Sequence, residues 1–183
     1  TGYVVIPSTP YDAKGLLKSA IRDDNPVAFF EHKGMYSLKG EVPEDEYTIP
    51  LGEADIKREG SDVTIIAWGR LVHRALEASE LAAKEGIDVE VLDPRGLRPL
   101  DVSAIVNSVE KTGRVIVSHE AGKTGGASAE IAAIIAEECI TSLEAPIMRV
   151  CGIETPVPQS VHLEQFVIPS AEELLSLIHI SEP

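Results

Sequence analysis

Short apolar runs alternate along the chain with longer stretches of helical periodicity. The runs are four or five residues long and rich in Val, Ile and Phe, which predicts β-strands at residues 3–6, 27–31, 63–67, 89–92, 114–118 and 147–150. Apolar residues at helical spacing predict helices at residues 13–21, 72–85, 102–109 and 127–139. Because strands and helices alternate at this spacing, the sequence predicts an α/β fold with a mainly parallel sheet covered on both faces.

The stretch from His32 to Asp62 interrupts this alternation. Glycines, prolines and charged residues replace the periodic pattern, and residues 41–46 are its most polar part. Such a composition predicts a linker, or an excursion of the chain, between two structured regions.

Length and charge narrow the class of protein. A chain of 183 residues with 44% hydrophobic residues can form one α/β domain with an appended segment. The 16 basic and 30 acidic residues give a formal net charge of −14, which repels phosphate backbones and anionic lipid headgroups. We therefore expect neither nucleic acid nor a membrane as a partner, and a basic protein fits the charge better.

No sequence signal directs this chain to a membrane. It has no run of about 18 apolar residues, and residues 1–10 lack the cationic start and apolar stretch of a signal peptide. These features predict a cytoplasmic protein of bacterial type, and the mitochondrial matrix stays open as the alternative.

Cys139 and Cys151 are the only cysteines, and neither lies in a CxxC or Cys/His spacing. We predict free thiols, because two isolated cysteines make neither a disulfide framework nor a zinc site. The histidines are scattered, so no transition-metal site is predicted.

The turn at residues 119–126 combines polar residues with three glycines before a predicted helix. Backbone N–H groups at a helix start can bind an anion, but the spacing is neither GxGxxG nor GxxxxGK[ST], so a packing or interface turn is favoured over a nucleotide site. His119 beside Glu120 could perform acid–base chemistry. Adjacent strand residues point to opposite faces, however, so the two side chains need not meet.

Two further places carry open alternatives. His32 follows a predicted strand, where it is either part of a site rim or, the favoured interpretation, an ordinary exposed histidine. The loop at residues 93–101 holds two arginines among two acids and two prolines. Arginine pairs well with carboxylates, so this loop either interlocks with another subunit or pairs with itself.

Several strings together resemble the beta subunits of the first components of 2-oxo acid dehydrogenases. This family covers pyruvate, branched-chain 2-oxo acid and acetoin dehydrogenases. The strings run in family order, at residues 7–17, 20–33, 52–69, 89–101, 123–133 and 149–158. A terminal domain of transketolase or deoxyxylulose phosphate synthase, which shares the fold, is a weaker alternative because those chains are expected to carry different motifs here.

The resemblance implies a domain organisation. Residues 1–38 correspond to the end of a thiamine-diphosphate pyrimidine-binding domain, 39–52 to a linker and 53–175 to a transketolase C-terminal-like domain. Residues 176–183 form an atypical tail that does not resemble the family ending, and we assign it no function. Gly96 also departs from the family, which commonly has threonine there.

The resemblance also implies a function. Family members are heterotetramers of two alpha and two beta subunits that hold thiamine diphosphate and magnesium, decarboxylate pyruvate or a related 2-oxo acid, and pass the acyl group to a lipoyl domain. The activating carboxylate and the active-site histidine belong to the part of the beta subunit upstream of residue 1. We therefore predict no catalytic residue and assign no cofactor-binding residue in this chain, and we expect it to be inactive alone.

The partners implied are an alpha subunit, a second beta subunit and the lipoyl acyltransferase core, which docks through its basic subunit-binding domain. Two alternatives stay open: an acetoin dehydrogenase beta subunit, and a non-catalytic acidic docking domain for a basic partner. The substrate cannot be read from these residues.

One site of the family maps onto this chain. Beta subunits of the family bind a structural potassium ion after a helix, and the matching positions are Ala20, Ile21, Asp23 and Asn25. Carbonyl and carboxylate oxygens at a helix C-terminus suit a hard cation. The alternative is an ordinary helix end with Asp23 exposed.

Overall fold

The structure, a computed structural model, describes residues 2–181 and contains a smaller and a larger β-sheet. In the smaller sheet, β1 (Tyr3–Val5) lies between β2 (Val27–Phe29) and β6 (Gly96–Arg98), parallel to β2 and antiparallel to β6. Helix α1 (Pro10–Arg22) connects β1 to β2. The strand, helix and strand predicted for residues 1–31 are therefore confirmed.

The larger sheet has five strands in the order β3-β5-β4-β7-β8. Their bounds are Asp55–Arg58 for β3, Val63–Ala67 for β4, Val89–Asp93 for β5, Val115–Gly122 for β7 and Met148–Gly152 for β8. All neighbouring pairs are parallel except β3 with β5. The α/β fold with a mainly parallel sheet is confirmed.

Within residues 2–181, five α-helices accompany this sheet: α2 (Arg70–Ala83), α3 (Val102–Thr112), α4 (Ala127–Glu138), α5 (Val161–Val167) and α6 (Ala171–Ser181). Successive residues of β4 point into opposite cores, because Ile65 packs with residues of α2 and α6 while Ile66 packs with residues of α3 and α4. Every residue of β4 and β5 is buried, as expected for central parallel strands covered on both faces. Among the described residues, no helix is long and apolar enough to cross a lipid bilayer.

Two strands were not predicted from the sequence. Strand β3 reads Asp-Ile-Lys-Arg and lies at the edge of its sheet, where polar residues are usual and hydrophobic alternation is weak. Strand β6 is three residues long and pairs with β1, almost a hundred positions earlier in the chain. It joins the two sheets through the connection from β5.

The segment at residues 39–52 contains no helix or strand, yet it packs against α1. Ile49 is buried in the small core beside Leu16. The ring of Tyr47 stacks on Tyr11 with 4.6 Å between centroids, and its hydroxyl donates to the Tyr11 carbonyl at 2.9 Å. This segment is therefore part of the packed structure and not a free spacer.

Helix α6 extends the fold beyond residue 175. Leu174 and Ile178 lie one helical turn apart and are 0% and 1% exposed in the core shared with α2. The predicted boundary at residue 175 thus falls inside α6, and Leu177 and Ile178 of the predicted tail pack in this core. The sequence-based division missed this because it separated the two halves of one apolar stripe. Residues 182–183 of that tail lie outside the described residues.

Candidate functional site

A buried charge cluster, formed by Asp12, Lys57, Asp93 and Arg95, lies where the two sheets meet. Asp12 and Asp93 are both 0% exposed. Arg95 Nη2 lies 2.8 Å from Asp12 Oδ1, and Lys57 Nζ lies 2.6 Å from Asp12 Oδ2 and 4.0 Å from Asp93 Oδ2. Buried carboxylates require such partners, so these charges tie α1 to the strands of the larger sheet.

Local structure places each acid of the cluster. Thr9 caps α1, since its hydroxyl accepts from the Asp12 N–H at 3.1 Å and donates to Asp12 Oδ2 at 2.6 Å. Ser8 donates to the Asp93 carboxylate. Burial raises the pKa of Asp12, but hydrogen bonds from Lys57 and Thr9 and the charges of Lys57 and Arg95 outweigh it, so the net pKa is lowered. Burial raises the pKa of Asp93 to about 6, despite the opposing hydrogen bonds from Ser8 and the Arg95 backbone.

Arg95 reaches the cluster from an unusual backbone conformation. Its φ of 57° lies in the left-handed region, and its N–H donates to Asp93 Oδ1 at 2.8 Å. Arg95 therefore pairs within the chain, as the self-paired interpretation of the loop at residues 93–101 predicts. Leu97 and Arg98 are exposed, so contact between this part of the loop and another subunit stays a prediction.

His32, which follows β2 of the smaller sheet, pairs with Glu120 in β7 of the larger sheet. His32 Nδ1 accepts from the Gly34 N–H at 3.1 Å, so Nε2 carries the proton and donates to Glu120 Oε2 at 2.9 Å. The His32 side chain is 27% exposed, and the favoured prediction of an ordinary exposed histidine is wrong. A pair separated by 88 positions leaves no sequence pattern.

His119 points away from Glu120, as the strand geometry predicts. Its Nδ1 donates to the Ala121 carbonyl at 3.0 Å, which leaves Nε2 to accept from Ser128 Oγ at 2.8 Å. Cys151 Sγ lies 3.7 Å from the same Nε2. Burial, together with the charge of Arg149, lowers the pKa of His119. Sequence reasoning missed Ser128 and Cys151 as partners of His119. The signal available for Cys151 was that its strand, β8, follows β7 in the predicted parallel sheet and could be its neighbour.

The turn at residues 119–126 packs tightly around this imidazole. A Cβ on Gly126 would lie 2.5 Å from His119 Cε1 and 2.6 Å from the Gly122 carbonyl oxygen. No larger residue fits there without movement, which supports the packing interpretation of the turn.

The four positions predicted to bind potassium lie together at the end of α1. The Asp23 N–H donates to the Ser19 carbonyl, and Asp23 Oδ1 accepts from both the backbone and the side-chain amide of Asn25 at 2.8 Å each. The helix leaves its last carbonyls without intrahelical partners, and these belong to the turn that holds Ala20 and Ile21. Potassium binding there stays a prediction. Within residues 2–181, no group of three or more His, Cys, Asp or Glu side chains is placed to bind a metal ion.

A mainly apolar cavity of about 190 Å³ lies beside His32, and its lining includes Pro7, Thr9, Met35 and Tyr36. It is smaller than the roughly 300–1,000 Å³ of typical small-molecule sites.

Known proteins resemble this chain over nearly its whole length. The family described as transketolase, C-terminal domain, matches residues 52–174, and the transketolase pyrimidine binding domain matches residues 2–39. A solved structure described as a split gene transketolase, inactive beta4 tetramer, covers 98% of this chain and 56% of its own at 27% identity and a TM-score of 0.79.

Three curated relatives come from Bacillus subtilis. The acetoin:2,6-dichlorophenolindophenol oxidoreductase subunit beta is 53% identical over 94% of this chain and 51% of its own length. The pyruvate dehydrogenase E1 component subunit beta is 53% identical over 94% of this chain and 53% of its own length. The 2-oxoisovalerate dehydrogenase subunit beta is 49% identical over 93% of this chain and 53% of its own length.

These findings confirm the resemblance to 2-oxo acid dehydrogenase beta subunits that the motifs predict. The chain spans about half the length of the curated relatives it matches. It belongs to the transketolase C-terminal domain family, and residues 2–39 ahead of that domain match the transketolase pyrimidine binding domain.

Proposed function

We propose that this chain is the C-terminal half of the beta subunit of a thiamine-diphosphate-dependent 2-oxo acid dehydrogenase. The observation that carries the proposal is identity of about one half, over more than nine tenths of this chain, to beta subunits that are about twice as long. The intact enzyme decarboxylates pyruvate or a related 2-oxo acid oxidatively and passes the acyl group to a lipoyl domain.

An acetoin dehydrogenase is the second candidate. The identity to the acetoin subunit equals that to the pyruvate subunit, at 53% each, and the 2-oxoisovalerate subunit follows at 49%. Whole-chain identity therefore does not separate the substrates.

The cofactor belongs to the intact heterotetramer. Thiamine diphosphate would supply the carbanion that attacks the 2-oxo carbon of the substrate. The described residues alone offer no cluster of acids or histidines for a metal ion. Following the family resemblance, we assign the groups that hold the cofactor and magnesium to the alpha subunit and to the other half of the beta subunit.

Within this arrangement the chain has a positioning role. The buried charge cluster fixes α1 against β3 and β5, since Asp12 pairs with Lys57 and Arg95 at 2.6 and 2.8 Å. The pair of His32 and Glu120 adds a second contact between the regions. Both would hold the remaining pyrimidine-binding residues in a fixed orientation toward the alpha subunit.

We assign three partners to the intact protein: an alpha subunit, a second beta subunit and a basic domain of the acyltransferase core. The net charge of −14 favours a basic docking partner. Apolar side chains at the surface from Ile153 to Phe166 support a subunit contact, because Phe166 is 74% and Val157 65% exposed. We propose the bacterial cytoplasm as the location, with the mitochondrial matrix as the alternative suggested by a mitochondrial relative from Dictyostelium discoideum.

Potassium binding at Ala20, Ile21, Asp23 and Asn25 is part of the proposal. The cluster of backbone and carboxylate oxygens after α1 is consistent with a hard cation. Thermal unfolding in potassium and in tetramethylammonium salts of equal ionic strength tests it. Potassium should raise the midpoint for the chain and for Asp24→Ala, but not for Asp23→Ala. An equal midpoint in both salts would reject the site.

The proposal as a whole is tested by reading the gene upstream and coexpressing the longer chain with the neighbouring alpha-subunit gene. Thiamine-dependent turnover of pyruvate, branched-chain 2-oxo acids or acetoin would establish the function and the substrate together. A stable longer chain with no alpha partner and no cofactor dependence would instead favour a non-catalytic acidic docking domain.

A further inference from the structure

A thiol, an imidazole and a hydroxyl meet outside the buried charge cluster. Cys151 of β8 is the register partner of His119 in β7, and Ser128 lies in the first turn of α4. Ser128 Oγ is 2.8 Å from His119 Nε2 and 3.3 Å from Cys151 Sγ, and the sulfur is 3.7 Å from the same nitrogen. No step of the proposed function uses these three groups.

The hydrogen bonds fix the direction of proton transfer. Because His119 Nδ1 donates to the Ala121 carbonyl, Nε2 carries a lone pair toward Ser128 and Cys151. Burial lowers the pKa of His119, which favours the neutral imidazole that a base requires. The proton of Cys151 can therefore move to Nε2 directly or through the Ser128 hydroxyl.

The imidazole cannot turn away easily. Gly126 leaves no space behind the ring, since a Cβ there would lie 2.7 Å from His119 Nε2. The start of α4 also favours negative charge, because the helix dipole directs partial positive charge toward its first turn. This first turn carries Ser128, whose hydroxyl lies 3.3 Å from Cys151 Sγ.

The two cysteines differ in access. Cys151 is partly exposed on the edge strand of the sheet, whereas Cys139 is 0% exposed in the core of α3 and α4. Burial raises the pKa of the Cys139 thiol. The chain thus contains an inert cysteine that serves as an internal reference for the other.

We propose that Cys151 is a thiol–disulfide exchange site for small disulfides, with His119 as its base. The sulfur of Cys151 attacks one sulfur of the disulfide, and its proton passes to His119 Nε2. The disulfide bond breaks, a Cys151 mixed disulfide forms, and the leaving thiolate takes the proton back from His119. The Cys151 sulfur is oxidised, the leaving sulfur is reduced, and no further oxidant is needed.

The test is the rate of modification of each cysteine by glutathione disulfide, followed by peptide mass spectrometry on the full chain, both folded and unfolded in urea. A thiol without a base reacts more slowly in the folded chain, where it is covered, than in the unfolded chain. We expect this behaviour of Cys139. With its base in place, folded Cys151 should react about tenfold or more faster than unfolded Cys151. Slower modification of Cys151 in the folded chain would overturn the proposal.

Two variants locate the source of the acceleration. His119→Gln should remove it, and Ser128→Ala should reduce it, while Cys139 stays protected in both as evidence that the core is intact. Acceleration that persists in folded His119→Gln would reject His119 as the base. These outcomes do not depend on the presence of an alpha subunit or of thiamine diphosphate.

Discussion

The guanidinium of Arg95 and the carboxylate of Asp12 form a buried ion pair across 83 positions of sequence. Arg95 Nε and Nη2 lie 2.9 and 2.8 Å from Asp12 Oδ1, and the two side chains are 8% and 0% exposed. A charge that is buried this completely is stable only when oppositely charged partners lie beside it. This pair therefore links α1 to the connection between β5 and β6.

Replacing Arg95 by Met should strongly destabilise the chain. Asp12 would keep Lys57 but lose its second cation, and breaking a buried pair from one side costs about 3–5 kcal/mol of unfolding free energy. Urea denaturation monitored by circular dichroism measures the loss. Arg74→Met, which removes an exposed pair with Glu77, should cost less than about 1 kcal/mol. Equal losses in the two variants would contradict a structural role for the cluster.

Asp93 should make the chain less stable as the pH rises from about 4 to 6. Burial raises its pKa from 3.8 to about 6, so in this window the folded state keeps a proton that the unfolded state has lost. Below this window Asp93 is protonated in both the folded and the unfolded state. Above it Asp93 is ionised in both states, and the full cost of burying its charge remains.

The matching variant is Asp93→Asn, which cannot ionise. Its unfolding free energy relative to the original chain should improve by on the order of 3 kcal/mol between pH 4 and pH 7, given about 1.4 kcal/mol per unit of pKa shift. Urea titrations at several pH values measure this difference. If the difference in unfolding free energy between the two chains stayed constant from pH 4 to pH 7, folding would not raise the pKa of Asp93.

Helix α6 offers a matched pair of isoleucines. Ile178 is 1% exposed and Ile180 is 67% exposed. Ile178→Ala should cost about 2–5 kcal/mol because it opens a cavity against α2, while Ile180→Ala should change the unfolding free energy by less than about 0.5 kcal/mol. If both substitutions were neutral, Ile178 would not contribute to the core.

The isolated chain should self-associate. Ile153, Val157, Leu163 and Phe166 are each more than half exposed near the C-terminal end of the larger sheet, where the proposal places a subunit contact. Sedimentation velocity should show dimers or larger species, and Phe166→Glu should shift them toward monomer. The control Tyr36→Glu, at an exposed aromatic residue of the N-terminal region, should leave them unchanged. A monomer at all concentrations would count against the contact.

The sequence predicts the regular part of the fold well, because strands such as β4 and helices such as α2 bury clear apolar patterns. It misses β3 and β6, whose short polar stretches form strands only because neighbouring strands offer them partners. The candidate sites follow the same rule. His119 and the loop at residues 93–101 are recognisable locally, but the partners Asp12 and Cys151 lie 83 and 32 positions away and only the fold brings them into contact.

The most direct test of the central claim is a chimera. The C-terminal half of the Bacillus subtilis pyruvate dehydrogenase beta subunit is replaced by residues 1–175 of this chain, or by 1–181 to keep α6 whole, and coexpressed with its alpha subunit. If the chain is half of such a beta subunit, the chimera should assemble and decarboxylate pyruvate only when thiamine diphosphate is present. A folded chimera that binds the alpha subunit but shows no thiamine-dependent turnover, beside an active parent enzyme, would contradict the account.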